Sequence, residues 1–203
     1  MIRIAPKPEY PEFDQSVRQP GRTFLRTTPH PTTKEFKKKN YWSRALRELN
    51  AAYSGICAYT AMYMAADRGS VDHFRPKATH PHLAYEWSNY RLAGGRINST
   101  KGNSLDVLDP MEIEDDWFHL DLPSCLIRAN PRLDRGIKSQ VNSTINTLRL
   151  NADDIYVDER CNILMEYAKG QIGYDFLRRR YPFLAKEITR QNLDGQLVAI
   201  FRI

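Results

Sequence analysis

The segment VDHFRPKATHPHLAYEWSNYRLAGGRINSTKGN, residues 71–103, combines an acid–histidine pair with two spaced asparagines. An Asp72–His73 pair is followed sixteen positions later by Asn89, and nine positions after that by Asn98. Histidine can accept a proton from water near neutral pH. Carboxylate and amide oxygens are ligands that hard divalent cations prefer. The segment therefore offers a general base, an orienting amide and an oxygen-donor metal ligand, the groups that metal-assisted phosphodiester hydrolysis requires.

Three short motifs in this segment resemble the HNH (ββα-metal) endonucleases. They are DHFRPK (Asp72–Lys77), YEWSN (Tyr85–Asn89) and NxxKG (Asn98–Gly102). Eight residues separate Asn89 from Asn98, a spacing common in that family, where the third motif position is His in many members and Asn in others. More narrowly, HFRPK followed by WxN is similar to the HNH nuclease subunits of Septu-type and retron-associated anti-phage systems.

The resemblance implies a role for each motif residue. Asp72 and Asn98 would bind one divalent metal, most readily Mg²⁺ or Mn²⁺, and His73 would activate the attacking water. Asn89 would hold the loop so that the His73 ring points at the substrate. Contacts to phosphate are expected from three basic residues, Arg75, Lys77 and Lys101. His80 and His82 are read as exposed loop histidines, with a metal or substrate contact left open.

One feature of related proteins is missing from this sequence. They often carry two CxxC pairs that hold a structural zinc, whereas the corresponding positions here are Cys57, Thr60, Gly94 and Ile97. One thiol of four cannot form such a site, so a structural zinc is not expected. We expect apolar packing around Ile56, Tyr59 and Ile97 to replace it.

The composition favours a polyanionic partner. The 203 residues include 30 Lys and Arg against 24 Asp and Glu, a net charge of +6. Such an excess suits phosphate neutralisation, and the resemblance narrows the partner to DNA, with RNA left open. The N-terminal residues lack the apolar core of a signal peptide, and no apolar run is long enough to span a membrane. The sequence therefore predicts a cytoplasmic protein with no membrane contact.

The pattern along the chain predicts an α+β protein. Residues 1–31 are proline-rich and are expected to form an extended arm. Residues 32–203 are expected to form a single HNH nuclease domain, in which a ββα-metal module at about 56–110 is embedded between helices at 32–54 and 139–190. Thr32 and Glu35 are spaced for a capping box at the start of the first helix. Residues 197–203 suit a short buried strand or the tail of a helix, and the cysteines show no disulfide framework.

Together these patterns predict a metal-dependent DNA endonuclease with little sequence preference. The resemblance suggests a defence role beside an ATPase encoded with it. Two alternatives stay open: a decayed HNH-fold module that binds nucleic acid or assembles with a partner, and an RNA-cleaving toxin. The run Arg178–Arg180 is read as a solvated helix face that can also serve nucleic acid or an acidic partner.

Overall fold

The computed structural model describes residues 1–152 and 154–202 and has an α+β architecture, as the sequence predicts. Its chain divides into two compact units. The first, which we call the pocket unit, comprises Ala5–Cys57 and Met64–Leu105. The second, the helical unit, comprises Met1–Ile4, Ala58–Tyr63 and Asp106–Ile203. Each unit contains one two-stranded antiparallel sheet.

The pocket unit places short helices around a strand pair. Its regular elements are α1 (Gln19–Thr27), α2 (Thr33–Lys38), α3 (Leu46–Ala52), β1 (Gly69–His73), β2 (Tyr90–Gly94) and α4 (Gly95–Lys101). In the antiparallel pair Asp72 lies opposite Arg91, and His73 lies opposite Tyr90. Helix α4 starts directly where β2 ends, so the chain runs strand, strand, helix through the predicted site.

The N-terminal segment differs from the extended arm that its prolines suggest. It forms a π-helix over Asp14–Arg18 and continues into α1, where Pro20 occupies the first turn. Pro20 thus lies at the junction between the π-helix and α1. Phe13 and Val17 are fully buried. The segment is therefore part of the core of the pocket unit.

The predicted helix over residues 32–54 is present in three pieces. Thr32 and Glu35 form the predicted capping box at the start of α2. The helix then stops at Lys38, a 3₁₀ turn covers Tyr41–Ala45, and α3 follows. Aromatic and aliphatic side chains from all these elements pack on β1 and β2 in one core, which contains Phe13, Val17, Phe36, Ala45, Leu49, Val71, Ala84, Tyr85, Trp87, Tyr90 and Leu92.

The helical unit contains four helices between residues 135 and 191, the region in which the sequence pattern predicts helix. Its elements are β3 (Phe118–Asp121), β4 (Leu126–Ala129), α5 (Arg135–Thr147), α6 (Asp154–Ala168), α7 (Tyr174–Arg180), α8 (Pro182–Gln191) and α9 (Leu197–Phe201). Of the two alternatives for residues 197–203, the chain adopts the helix, and position 203 lies outside the described residues. Cys125 and Cys161 form a disulfide, a pairing that the cysteine spacing does not reveal.

A buried guanidinium stabilises this unit from within. Arg160 donates hydrogen bonds to the carbonyl oxygens of Cys125 at 2.7 Å and Leu150 at 3.0 Å. Burial lowers the pKa of Arg160 to about 10, so it remains charged at neutral pH. No helix in the described ranges is long and apolar enough to cross a bilayer.

Candidate active site

A cavity of about 360 Å³ in the pocket unit brings together four of the predicted site residues. Asp72 and His73 enter it from the end of β1, Asn98 from α4 and Lys77 from the loop after β1. The opposite wall is formed by the 3₁₀ turn and the start of α3, which contribute Trp42, Ser43 and Leu46. Arg75, Asn89 and Lys101 do not line the cavity.

His73 is held in a defined orientation by its neighbours. Its Nε2 lies 2.8 Å from the carbonyl oxygen of Ala84, and its ring makes edge contacts with Trp42 at 5.0 Å and Tyr90 at 5.3 Å between centroids. A carbonyl oxygen only accepts, so Nε2 must carry the proton of this hydrogen bond. In the neutral imidazole, Nδ1 is then the basic nitrogen.

The protonation state of His73 follows from its surroundings. Burial, together with the positive charges of Lys77 and Lys101, lowers the pKa of the imidazole to about 3. The hydrogen bond to Ala84 opposes this shift only in part. The Tyr90 hydroxyl donates to the same carbonyl oxygen at 2.9 Å, which fixes the acceptor. His73 is therefore a neutral, oriented imidazole at physiological pH.

Asp72 faces a buried ammonium group. Lys101 Nζ lies 3.2 Å from Asp72 Oδ1 and donates to the His73 carbonyl oxygen at 3.0 Å. The Lys101 side chain is 0% exposed and that of Asp72 is 3% exposed. The sequence predicts Lys101 as a phosphate contact, but an ammonium enclosed in this way cannot reach a phosphate without leaving its site. Its observed position is that of a counter-ion to Asp72.

Asn98 is oriented by hydrogen bonds to β1. Its Nδ2 donates to Ser70 Oγ at 3.0 Å and to the Val71 carbonyl oxygen at 3.4 Å. These bonds use the donor side of the amide, and the remaining acceptor, Oδ1, is the kind of oxygen that binds Mg²⁺ or Mn²⁺. Asn98 and Asp72 together offer two oxygen-bearing side chains to the same cavity.

Asn89 clamps the loop that follows β1. Its Oδ1 accepts from the Arg75 backbone N–H at 2.8 Å, while Nδ2 donates to the carbonyl oxygens of Arg75 at 3.0 Å and Leu83 at 3.1 Å. The side chain is buried, and it ties Arg75 and Leu83 to the residue that precedes β2. These bonds hold the loop next to the Ala84 carbonyl that orients His73, and the role of Asn89 in catalysis stays a prediction.

The basic residues of the loop differ in exposure. Arg75 is exposed and its guanidinium lies 5.2 Å from the centre of the Phe74 ring. Lys77 is partly buried, with its ammonium 5.1 Å from the Trp42 ring, and burial is the main reason that its pKa is lowered. Lys77 thus presents a cation at the cavity, and Arg75 presents one outside it.

Sequence reasoning missed Trp42 as a pocket residue. Its spacing indicates a buried helical stripe, and only the tertiary fold carries its ring to His73. His80 and His82 lie outside the cavity, with ring centres 6.1 Å apart. Among residues 1–152 and 154–202, no group of three or more His, Cys, Asp or Glu side chains is placed to hold a metal. A site made from Asp72 and Asn98 is not of that kind, because it contains a single carboxylate.

Comparison of the chain with models of known protein families gives no match. Comparison with curated proteins gives no match either.

Proposed function

We propose that the protein is a metal-dependent endonuclease of the HNH type that hydrolyses phosphodiester bonds in DNA. The observation that carries this proposal is the shared cavity of Asp72, His73 and Asn98 at the β1–β2–α4 junction. A carboxylate, an amide oxygen and a neutral imidazole within one small cavity are the groups that this hydrolysis needs. The HNH identity rests on the three motifs and on their placement in a strand, strand, helix sequence.

His73 acts as the general base. With Nε2–H donated to Ala84, Nδ1 accepts the proton of the attacking water. A base with a pKa of about 3 is weak; burial is the main cause of that low pKa, and the ammonium groups of Lys77 and Lys101 add to it. A bound phosphodiester carries a negative charge that opposes the contribution of the two lysines to this low pKa.

The donor set fits a hydrated divalent cation. Mg²⁺ is commonly bound by one or two carboxylates plus waters and substrate phosphate oxygens, and Asp72 with Asn98 Oδ1 supplies the protein part of such a site. When bound, the metal stabilises charge on the phosphate and on the leaving oxygen. Asp72 and Asn98 would hold it in the cavity that His73 also lines. We expect Mg²⁺ or Mn²⁺ in this role and no structural zinc.

The surrounding residues support these two tasks. Asn89 is a positioning residue, because it fixes the loop between His73 and Ala84. Lys77 and Arg75 provide positive charge for the phosphate backbone. Lys101 is a positioning residue too, since its buried ammonium bonds to both Asp72 and the His73 backbone.

The charge distribution supports a nucleic acid as the substrate. The pocket unit contains 16 of the 30 Lys and Arg residues and 8 of the 24 Asp and Glu residues, a net charge of +8. The helical unit contains the other 14 and 16, a net charge of −2, and the two values sum to +6. The excess positive charge thus belongs to the unit that carries the cavity, as phosphate binding requires. A partner ATPase and a defence role are proposed on the resemblance alone.

One contact favours a second candidate, a binding or assembly module without catalysis. Lys101 places a positive charge against the carboxylate that would hold the metal. In a decayed site such a lysine would permanently replace the metal.

A panel of end-labelled duplex DNA, single-stranded DNA and RNA, each with Mg²⁺, Mn²⁺ or EDTA, separates these candidates. The proposed nuclease cleaves duplex DNA only with metal and leaves 5′-phosphate and 3′-hydroxyl ends. Binding of duplex DNA without cleavage under any metal favours the module. Cleavage restricted to RNA would show that the substrate is not DNA.

A further inference from the structure

Positive charge dominates the surroundings of Asp72 before any ligand enters. Asp72 is the sole carboxylate among the described residues that line the cavity, and Lys77 lines the same cavity. Behind Asp72 the fully buried ammonium of Lys101 lies 3.2 Å from Oδ1. The one negative charge is therefore already matched by Lys101, and Lys77 adds a further positive charge.

The ring of Phe74, next to His73, gathers more cations on this side of the unit. Arg75 and Arg91 each have their guanidinium carbon 5.2 Å from the ring centre, and Lys101 Nζ lies 5.8 Å from it. Arg91 is also the strand partner of Asp72 in the β1–β2 register. These contacts bring three cations near one aromatic ring, and two of the cations, Arg91 and Lys101, are buried.

These charges disfavour a divalent cation that arrives alone. A carboxylate with an ammonium at 3.2 Å attracts a second cation weakly, because the two positive charges repel each other with little intervening water. A phosphodiester changes this balance in two ways. It adds a negative charge, and it contributes oxygen ligands to the metal.

Taking the proposed nuclease function as a premise, we propose that the pocket binds a phosphodiester anion and a divalent cation together, so that the cation binds strongly only when the phosphate is present. Lys77 and Lys101 set this dependence. The coupling is reciprocal, so the cation must raise the affinity for the diester by the same factor. In such a site, binding of the phosphodiester substrate brings about binding of the metal.

The test measures Mn²⁺ binding by the loss of the free-Mn²⁺ paramagnetic resonance signal. Wild-type protein is titrated with Mn²⁺ alone, with thymidine dinucleotide linked by a phosphodiester, and with the methylphosphonate-linked dinucleotide, which has nearly the same shape but no charge. We expect the diester to tighten Mn²⁺ binding at least tenfold and the methylphosphonate to leave it unchanged.

Removing one cation should weaken the dependence. In Lys77→Met, which keeps side-chain length against Trp42, Mn²⁺ alone should bind about tenfold more tightly than in wild type, and the gain from the diester should shrink. Lys38→Met, at an exposed position of α2, is the matched control and should behave as wild type. Lys101→Met should act in the same direction if its fold, checked by circular dichroism, is intact.

Two results would overturn the inference, and only one of them would also disprove the proposed metal site. Equal Mn²⁺ affinity in wild type with and without the diester would disprove the coupling and leave the nuclease proposal standing. No Mn²⁺ binding under any condition would disprove both the coupling and the metal site.

Discussion

At the scale of a single residue, the neutral state of His73 makes the stability of the fold depend on pH. The ordinary pKa of histidine is 6.5, and the folded protein lowers it to about 3 through burial and nearby lysines. Between pH 3 and pH 6.5 this histidine binds a proton in the unfolded chain but not in the folded protein, so lowering the pH favours unfolding. The contribution of His73 is fully present above pH 6.5 and is lost as the pH falls towards 3.

We therefore expect the free energy of unfolding to fall by about 1.4 kcal/mol per pH unit below pH 6.5 on account of His73. Urea titrations between pH 5.0 and 7.5, followed by tryptophan fluorescence, measure the slope while staying above the range in which most carboxylates titrate. His73→Gln should remove this part of the slope, and His82→Gln, at an exposed position, should retain it. Identical slopes in wild type and His73→Gln would show that His73 is not kept neutral.

The Asp72–Lys101 pair makes a second prediction at this scale. Lys101→Met leaves a buried carboxylate without its ammonium and should cost about 3 kcal/mol in chemical denaturation. Adding Asp72→Asn should restore part of that loss, because the uncompensated charge is then gone. Asp175→Asn, at an exposed ion pair, should change stability by less than about 0.5 kcal/mol. A double variant as unstable as the two single effects added together would exclude a buried ion pair.

The sequence predicts which residues belong to the candidate site where short motifs contain them. The identities of Asp72, His73, Asn89 and Asn98 as a candidate set follow from motif and spacing. The position of Lys101 does not, because its partner Asp72 is 29 residues away and only the docking of α4 on β1 joins them. The acceptor for His73, the Ala84 carbonyl, was equally unpredictable, since a backbone atom leaves no trace in a sequence pattern.

At the scale of elements, the N-terminal helices are bonded to the segment that connects β1 to β2. Arg18 and Arg22 donate to the two carboxylate oxygens of Glu86 at 2.8 and 2.9 Å, close to Trp87 and Asn89 in the chain. The Tyr85 hydroxyl donates to the Lys39 carbonyl oxygen at 2.8 Å. Helices α1 and α2 are thus fixed to the segment that leads into β2.

Gly21 allows this close approach. A Cβ atom at position 21 would fall within 3.0 Å of three Tyr85 side-chain atoms, and the hydroxyl bond to Lys39 keeps that ring from moving aside. We expect Gly21→Ala to destabilise the pocket unit by about 3 kcal/mol, measured by thermal unfolding. Gly195→Ala, where a Cβ meets no atom within 4 Å, is the control and should have little effect. Unchanged stability of Gly21→Ala would contradict the packing of α1 on Tyr85.

Helices and turns that depend on residues close in sequence were predictable. Those that depend on packing between distant parts of the chain were not. The Thr32–Glu35 capping box depends on residues three apart and appears as predicted. The helix over Asp14–Thr27 was missed because its prolines indicate extended chain, whereas burial of Phe13 and Val17 favours folding onto the core. The disulfide joins cysteines 36 residues apart, and a separation of that length does not indicate which cysteines pair.

At the scale of the whole molecule, charge separates the two units. The pocket unit has a net charge of +8 and the helical unit −2. Binding to duplex DNA in EDTA should therefore depend steeply on salt, because each neutralised phosphate releases counterions.

We expect the dissociation constant for duplex DNA to rise at least tenfold between 50 and 200 mM salt, as measured by fluorescence anisotropy. Lys37→Gln, at an exposed position of the pocket unit, should lower the salt slope by up to about one. Lys138→Gln, exposed on the helical unit, should leave it unchanged. Affinity that is insensitive to salt would contradict an electrostatic nucleic-acid surface.

The central claim is that His73 is the base of a metal-dependent nuclease, and cleavage of supercoiled plasmid tests it most directly. Wild-type protein and His82→Ala should nick the plasmid with Mg²⁺ or Mn²⁺ and not with EDTA. His73→Ala, with its fold confirmed by circular dichroism, should be slower by at least about 100-fold, the usual contribution of a general base. A folded His73→Ala variant that nicks the plasmid at the wild-type rate would contradict the claim.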